Sequence, residues 1–279
     1  MTILDGKKLK TEILEDLKQT VSKLDKKPSL AVIQIGNDEA SNVYIKQKEN
    51  MCNFVGYKFN HIKLEDTTTE ENILQIIEEL NNNDNVNAIL VQMPISKHLN
   101  YKKIQNKINP LKDVDGLTNE NKLRLINKEK GLFPCTALGV IELLNNYNIS
   151  VEGKNITIVG RSDLVGMPLF HLLNNMNATV TLCHSKTKNL EEKTKQADIL
   201  IVATGKKHLI KENMVKENSI IIDVGINKEN NKLYGDVDFD NIKNKVSYIT
   251  PVPGGVGPMT IAMLATNILK AYKMQKNID

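Results

Sequence analysis

Asn155–Phe170, NITIVGRSDLVGMPLF, passes from an apolar β-branched run through two glycines into a helix start. Ile156–Val159 has the length and composition of a buried strand. It ends at Gly160, where the missing Cβ lets the chain turn and lets backbone N–H groups approach a phosphate at the N-terminus of the following helix. Gly166 and Pro168 suit the first turn of that helix. The spacing G-R-S-x-x-x-G is not G-x-G-x-x-G, so the glycines alone fit an ordinary strand-to-helix turn as well as a nucleotide site. The next strand, Ala178–His184 (ATVTLCH), ends about twenty residues beyond the turn, where an enzyme using NAD usually presents Asp or Glu to the ribose 2′-hydroxyl. Here the tip reads His184, Ser185, Lys186, and Arg161 sits beside the first glycine. Hydroxyl and cationic donors in that place favour NADP over NAD, although a solvated Lys/Ser loop has the same composition.

Further apolar runs follow at Asp198–Ala203, Ser219–Val224 and Val246–Thr250, then a Pro/Gly loop, Pro251–Pro258, and a helix with Ile261, Leu264, Ile268, Leu269 and Tyr272 on one face and Pro258 near its start. Upstream, Asp5 can cap a helix whose apolar positions Leu9, Ile13, Leu14, Leu17, Val21 and Leu24 follow a 3.6-residue period. Ser29–Ile35 (SLAVIQI) reads as a buried strand and a second helix begins near Ser41. A strand at Tyr57–Leu64 precedes a helix opened by Thr67 with Glu70 as a capping box, and Ala88–Met93 is a further buried strand. Strand and helix thus alternate three times before residue 110, which predicts a parallel sheet covered on both faces. Asn109–Gly116 (NPLKDVDG) breaks the pattern, and Thr136 is a candidate helix cap. The expected fold class is α/β. An N-terminal parallel three-layer α/β domain, residues 1–139 with 258–279, accompanies a Rossmann-type dinucleotide-binding domain, residues 140–257.

A chain of 279 residues, 41% hydrophobic and 25% charged, can build a real core. Its net charge of +4 is spread without a basic block or interleaved aromatics, so it carries no nucleic-acid footprint. No apolar run approaches the length of a membrane span, and MTILDGKKLK resembles neither a secretory signal nor a transit peptide, so a cytoplasmic protein is expected. Cys52, Cys135 and Cys183 are odd in number and lack C-x-x-C spacing, which predicts buried thiols rather than disulfides or zinc. The five histidines are scattered, and no metal site is expected.

Tyr44 and Lys48 are four residues apart, so phenol and ammonium project from one helix face. Together they could position a substrate and move a proton, provided desolvation or a nearby cation lowers the lysine pKa. Tyr-x-x-x-Lys also occurs on solvated helices. In short-chain dehydrogenases the pair follows the glycine turn, whereas here it precedes it, which disfavours that fold. Gln92 ends the third strand at the carboxyl edge of the sheet, where ligands bind, and could hydrogen-bond Lys48. Asp113 and Asp115 lie on the next loop. A carboxylate there could recognise a ring bearing an amino group and an N–H through two bonds, or simply serve an Asp-Gly turn.

Taken together, SNVYIKQKENMC (41–52), ILVQMP (89–94), KDVDG (112–116), PCT (134–136), VGRSDLVGMP (159–168), IIDVGIN (221–227) and TPVPGGVGPMT (250–260) resemble the bifunctional methylenetetrahydrofolate dehydrogenase/methenyltetrahydrofolate cyclohydrolase family, in the family's order. The resemblance implies NADP-dependent oxidation of 5,10-methylenetetrahydrofolate to the methenyl cation, then hydrolysis to 10-formyltetrahydrofolate, a one-carbon donor for purine biosynthesis. It implies Lys48 as general acid or base, tuned by Gln92 and Tyr44. Tyr44 would also order the folate, Asp115 and Gly116 hold the pterin, and Pro253 and Gly254 close the folate cleft. Gly160, Arg161, Ser162, Ser185 and Ile226 would contact NADP. Two domains with the cleft between them, a C-terminal helix returning to the first domain, and a homodimer through the dinucleotide domain are further implications. Leu117 and Thr118 stand where Phe-His is frequent, and Ala137 where Pro is usual, so the first pair bears on folate affinity. Rival readings are a non-catalytic dinucleotide sensor and a dehydrogenase lacking the cyclohydrolase step.

Overall fold

The computed structural model describes residues 1–230 and 232–278. In chain order the elements are β1 (Thr2–Ile3), α1 (Gly6–Ser22), β2 (Ser29–Ile35), α2 (Glu39–Val55), β3 (Lys58–Leu64), α3 (Glu70–Asn82), β4 (Ala88–Val91), α4 (Tyr101–Lys107), α5 (Asn119–Ile126) and α6 (Cys135–Asn146). Then come β5 (Asn155–Val159), α7 (Gly166–Asn175), β6 (Thr179–Cys183), α8 (Leu190–Lys195), β7 (Ile199–Val202), β8 (Ile220–Asp223), β9 (Asn227–Glu229), β10 (Lys232–Tyr234), α9 (Phe239–Ile242), β11 (Tyr248–Ile249) and α10 (Val256–Lys276), with a 3-10 turn at Glu212–Met214. They form two compact units. One comprises Met1–Thr11 with Thr136–Thr260, the other Glu12–Cys135 with the chain from Ile261 onward.

The second unit holds a three-stranded parallel sheet in the order β3-β2-β4. All seven residues of β2 are buried, as a central strand with both faces covered requires. Its core joins Ile33 and Ile35 to Ile73, Ile77, Ile89 and Ile104. β2 has β3 on one side and β4 on the other, so the strand order reverses at its carboxyl end. The last helix serves this unit too, through backbone and side chain. The Tyr57 hydroxyl donates to the Ala265 carbonyl and Gln275 to the carbonyls of Asn87 and Leu111.

The first unit contains a six-stranded sheet, β1-β11-β8-β7-β5-β6, in which every pairing is parallel. Its order reverses at β5, which lies between β6 and β7. In such sheets ligands bind beyond the carboxyl ends of the strands at the point of reversal, here the end of β5. β9 and β10 form a separate antiparallel pair.

Several local readings need correction. β1 joins the six-stranded sheet by pairing with β11, so the first eleven residues belong with the unit containing β5 rather than with β2–β4. Thr69, not Thr67, caps α3 by accepting from Asn72 N at 3.3 Å, while Glu70 turns to Lys103 and the Asn100 amide. α2 begins before Ser41, because Asp38 caps it by accepting from Ser41 N at 2.7 Å. Thr136 is inside α6, and its hydroxyl pairs with that of Thr260 at 3.1 Å. All three cysteines are buried free thiols.

Candidate functional site

α2 presents one buried face, with Ile45, Cys52 and Val55, and one exposed face that includes Tyr44. Lys48 lies between the two and is half-buried. Its Nζ donates to Gln92 Oε1 at 2.5 Å. Gln92 is buried just past β4, and its Nε2 donates to the Met93 carbonyl at 2.7 Å. Ser41 Oγ of α2 donates to the same carbonyl at 3.0 Å. The Gln92 amide is therefore held with its oxygen toward the amine. Tyr44, one turn before Lys48, is 47% exposed.

The loop KDVDG divides into scaffold and site. Lys112 is buried, and its Nζ donates to the carbonyls of Leu80, Asn81 and Asn83 at 3.0, 2.7 and 2.9 Å, closing the C-terminal end of α3. Asp113 accepts from Gln105 Nε2, Thr118 N and Asn121 Nδ2 at 3.0, 2.8 and 3.0 Å. Both are committed to structure. Asp115 is the carboxylate whose charge acts on Lys48. Gly116 turns the chain at φ 64°, where a Cβ would press into the Leu132 carbonyl and Phe133 backbone.

Burial draws the Lys48 ammonium below its ordinary pKa, against the opposing pull of Asp115. Burial likewise raises Asp115 to about 6, against the pull of Lys48 and with a further push from Asp113. The Cys135 thiol, with Sγ 3.9 Å from Asp115 Oδ1, is pushed well up by burial and by Asp115. Low dielectric thus moves amine and acid toward each other on the pH scale, which is what proton transfer near neutrality requires.

Sequence reasoning missed Asn267. Its Nδ2 donates to the carbonyls of Val114 and Phe133 at 2.8 and 2.9 Å and reaches Cys135 Sγ at 3.6 Å. An asparagine among the apolar positions Leu264, Ile268 and Leu269 was the available signal, since a buried amide needs partners.

In the other unit, Gly160 follows β5 with φ 121°, its N–H bonded to the Cys183 carbonyl at 2.9 Å. A Cβ on Gly160 would overlap the Ala203 carbonyl, and one on Gly166 the Gly160 carbonyl. Backbone alone fits there. Ser162 Oγ accepts from Val165 N at 3.2 Å, while the N-cap residue of α7, Val165, makes no side-chain cap. Met167 N is bonded to the Ser162 carbonyl at 3.1 Å and Pro168 has no N–H, so Gly166 N is the first-turn amide placed toward an anion. Arg161, Ser162 and Ser185 are exposed, and Ile226 is 49% exposed. These residues fit a dinucleotide: a side-chain-free cradle at the start of a helix, with cationic and hydroxyl donors beside it. Pro253 and Gly254 also belong to this unit, preceding α10. Among the described residues no cluster of three or more His, Cys, Asp or Glu could hold a metal.

Residues 4–115 match the catalytic-domain model of tetrahydrofolate dehydrogenase/cyclohydrolase, and residues 134–276 match its NAD(P)-binding-domain model. The chain belongs to the tetrahydrofolate dehydrogenase/cyclohydrolase family. A curated bifunctional protein FolD of Nitratiruptor sp. is 50% identical over 99% of both chains. The solved bifunctional dehydrogenase/cyclohydrolase of Campylobacter jejuni is 45% identical, with a TM-score of 0.97 over 99% of both chains. The Trypanosoma brucei dehydrogenase-cyclohydrolase, solved with NADP and an inhibitor, is 32% identical, with a TM-score of 0.94 over 99% of this chain and 98% of that one. As a tetrahydrofolate dehydrogenase/cyclohydrolase, this protein is an enzyme with two activities. Where the chain departs from the family's commoner pattern, Leu117 is buried and Thr118 caps α5, accepting from Asn121 N at 3.3 Å. Ala137 is buried within α6.

Proposed function

We propose that this chain oxidises 5,10-methylenetetrahydrofolate with NADP as hydride acceptor and then hydrolyses the methenyl cation to 10-formyltetrahydrofolate, with Lys48 as the acid–base residue. The Lys48–Gln92–Asp115 cluster carries the reading. Hydride leaves a carbon flanked by two nitrogens, so the cation is delocalised and the protein's main task in the first step is alignment. In the second, water adds to that carbon while the Lys48 amine takes its proton. The ammonium then returns a proton to the departing ring nitrogen as the ring carbon–nitrogen bond breaks, and the adduct's hydroxyl proton passes to water as the formyl C=O forms. Gln92 Oε1 holds Nζ on line, and burial keeps the amine able to accept. Asp115 and Gly116 receive the pterin, and Tyr44 orders the folate from the exposed side of α2.

When bound, NADP supplies the hydride-accepting ring. Gly160 and Ser162 would hold its phosphates, Arg161 and Ser185 would meet its 2′-phosphate, and Ile226 would contact it. The protein acts in the cytoplasm as a homodimer through the dinucleotide domain, and its product serves purine synthesis. This rests on the family resemblance, and light scattering of purified protein tests the dimer.

The deciding experiment follows reduced cofactor and methenyl-folate absorbance together, with NADP and NAD in parallel. Faster turnover with NADP and little methenyl-folate accumulation support the reading. Turnover with NAD alone overturns the cofactor assignment. Normal hydrolysis by Lys48→Met overturns the assignment of the base.

A further inference from the structure

Asp236 is fully buried and gathers five hydrogen bonds. Its Oδ2 accepts from Thr204 N at 2.6 Å, Thr204 Oγ1 at 2.9 Å and Gly205 N at 3.0 Å, and its Oδ1 from Lys206 N at 2.8 Å and Asn227 Nδ2 at 2.9 Å. Three consecutive backbone N–H groups converging on one anion form a nest, the geometry that in other loops receives a phosphate. Here the chain's own carboxylate fills it, so the loop after β7 takes its shape without a ligand. The loop starts at Ala203, whose carbonyl lies against Gly160, the first glycine of the turn after β5.

A second carboxylate interlocks with the first. Asp223, at the end of β8, accepts from Gly225 N and Asp236 N at 3.0 Å each through Oδ1, and from Val237 N at 2.8 Å through Oδ2. Ile226 therefore has both neighbours anchored, Gly225 to Asp223 and Asn227 to Asp236. An apolar side chain nearly half exposed, on backbone fixed from both sides, is built to present a surface. Gly225 leaves no alternative, since a Cβ there would overlap the Asp236 carboxylate.

We infer that Asp236 is a positioning residue for the dinucleotide: by filling the nest of Thr204–Lys206 and holding Asn227, it fixes the loops after β7 and β8 that frame Gly160 and Ile226. This rests on the assignment of Gly160, Arg161 and Ile226 to NADP. Asp236 touches no reacting atom. Its contribution is preorganisation, which lowers the ordering cost of binding.

The test is calorimetric titration of NADP into the full chain carrying Asp236→Asn. The amide places N–H groups against backbone N–H donors, and NADP binding weakens by about tenfold or more. Hydrolysis of methenyl-folate without dinucleotide and the far-ultraviolet dichroism report whether the variant is folded. In steady state the apparent KM for NADP rises more than kcat falls. Asn227→Ala, which removes one of the five donors, weakens NADP by about threefold and decides the matter if Asp236→Asn does not fold. Unchanged NADP affinity in folded Asp236→Asn, or in Asn227→Ala when it must decide, overturns the role of Asp236, provided Arg161→Ala binds NADP more weakly than the wild type. Unchanged affinity in Arg161→Ala as well overturns the underlying NADP assignment.

Discussion

Asp115 and Asp236, one in each unit, are both carboxylates largely withdrawn from water, and they are compensated in opposite ways. Asp236 is surrounded by amide and hydroxyl donors that do not titrate. Asp115 faces a lysine that does, and its acidity moves up to about 6 while that of Lys48 moves down. A buried anion met by fixed dipoles becomes scaffold. One met by a movable proton becomes chemistry.

The largest expected break in this contrast is Lys48→Met. It should reduce methenyl-folate hydrolysis by about a thousandfold, within the range of general acid–base contributions, and leave NADP affinity measured by calorimetry unchanged. Loss of NADP binding would show that the lysine is itself scaffold. Next, Asp115→Asn should slow hydrolysis by about thirtyfold, and a rise of rate through about pH 6 expected of the wild type from ionisation of Asp115 should be missing from the variant. A profile retaining that limb assigns it elsewhere.

Lys112→Met tests a titratable group on the scaffold side. Three carbonyls at the end of α3 lose their donor, so denaturant titration should show a loss of about 2 kcal/mol with kcat intact.

The smallest effect is expected at Asp223, raised to about 7 chiefly by burial. The folded state keeps this proton after the unfolded chain has lost it. Its contribution therefore lowers stability progressively as pH rises from about 4 to about 7, and the penalty is constant above that. Asp223→Asn removes the titration, so its Tm relative to the wild type should rise across that interval. A pH-independent difference would mean that Asp223 is ionised throughout.

Much of the fold was legible because it is written locally. Ser29–Ile35 and Ile156–Val159 are short apolar runs between turn signals; the first strand has those bounds and the second begins one residue earlier, at Asn155. β1 was not legible: Thr2–Ile3 is exposed and becomes a strand only because Tyr248–Ile249 lies beside it. The polar pair β9 and β10 carried no apolar alternation. At the site, Lys48 and Gln92 could be related by strand-end and helix-face arguments. The division of labour within KDVDG could not: Gln105 and Asn121 lie only eight residues either side of Asp113 but reach it through the packing of α4 and α5, and Lys48, which acts on Asp115, is distant in sequence. The carboxylate pair of the other unit was hidden for the same reason, since Asp236 and Thr204 are 32 residues apart.

The Asn267 amide gives the catalytic unit an order of completion. Lys48 and Gln92 leave the ribosome early and need only β2–β4 and α2 to meet. The carbonyls of Val114 and Phe133, on either side of the Asp115 loop, wait for a side chain made more than 130 residues later. The loop that carries Asp115 therefore has its full set of hydrogen bonds only once the middle of α10 has been made and packed.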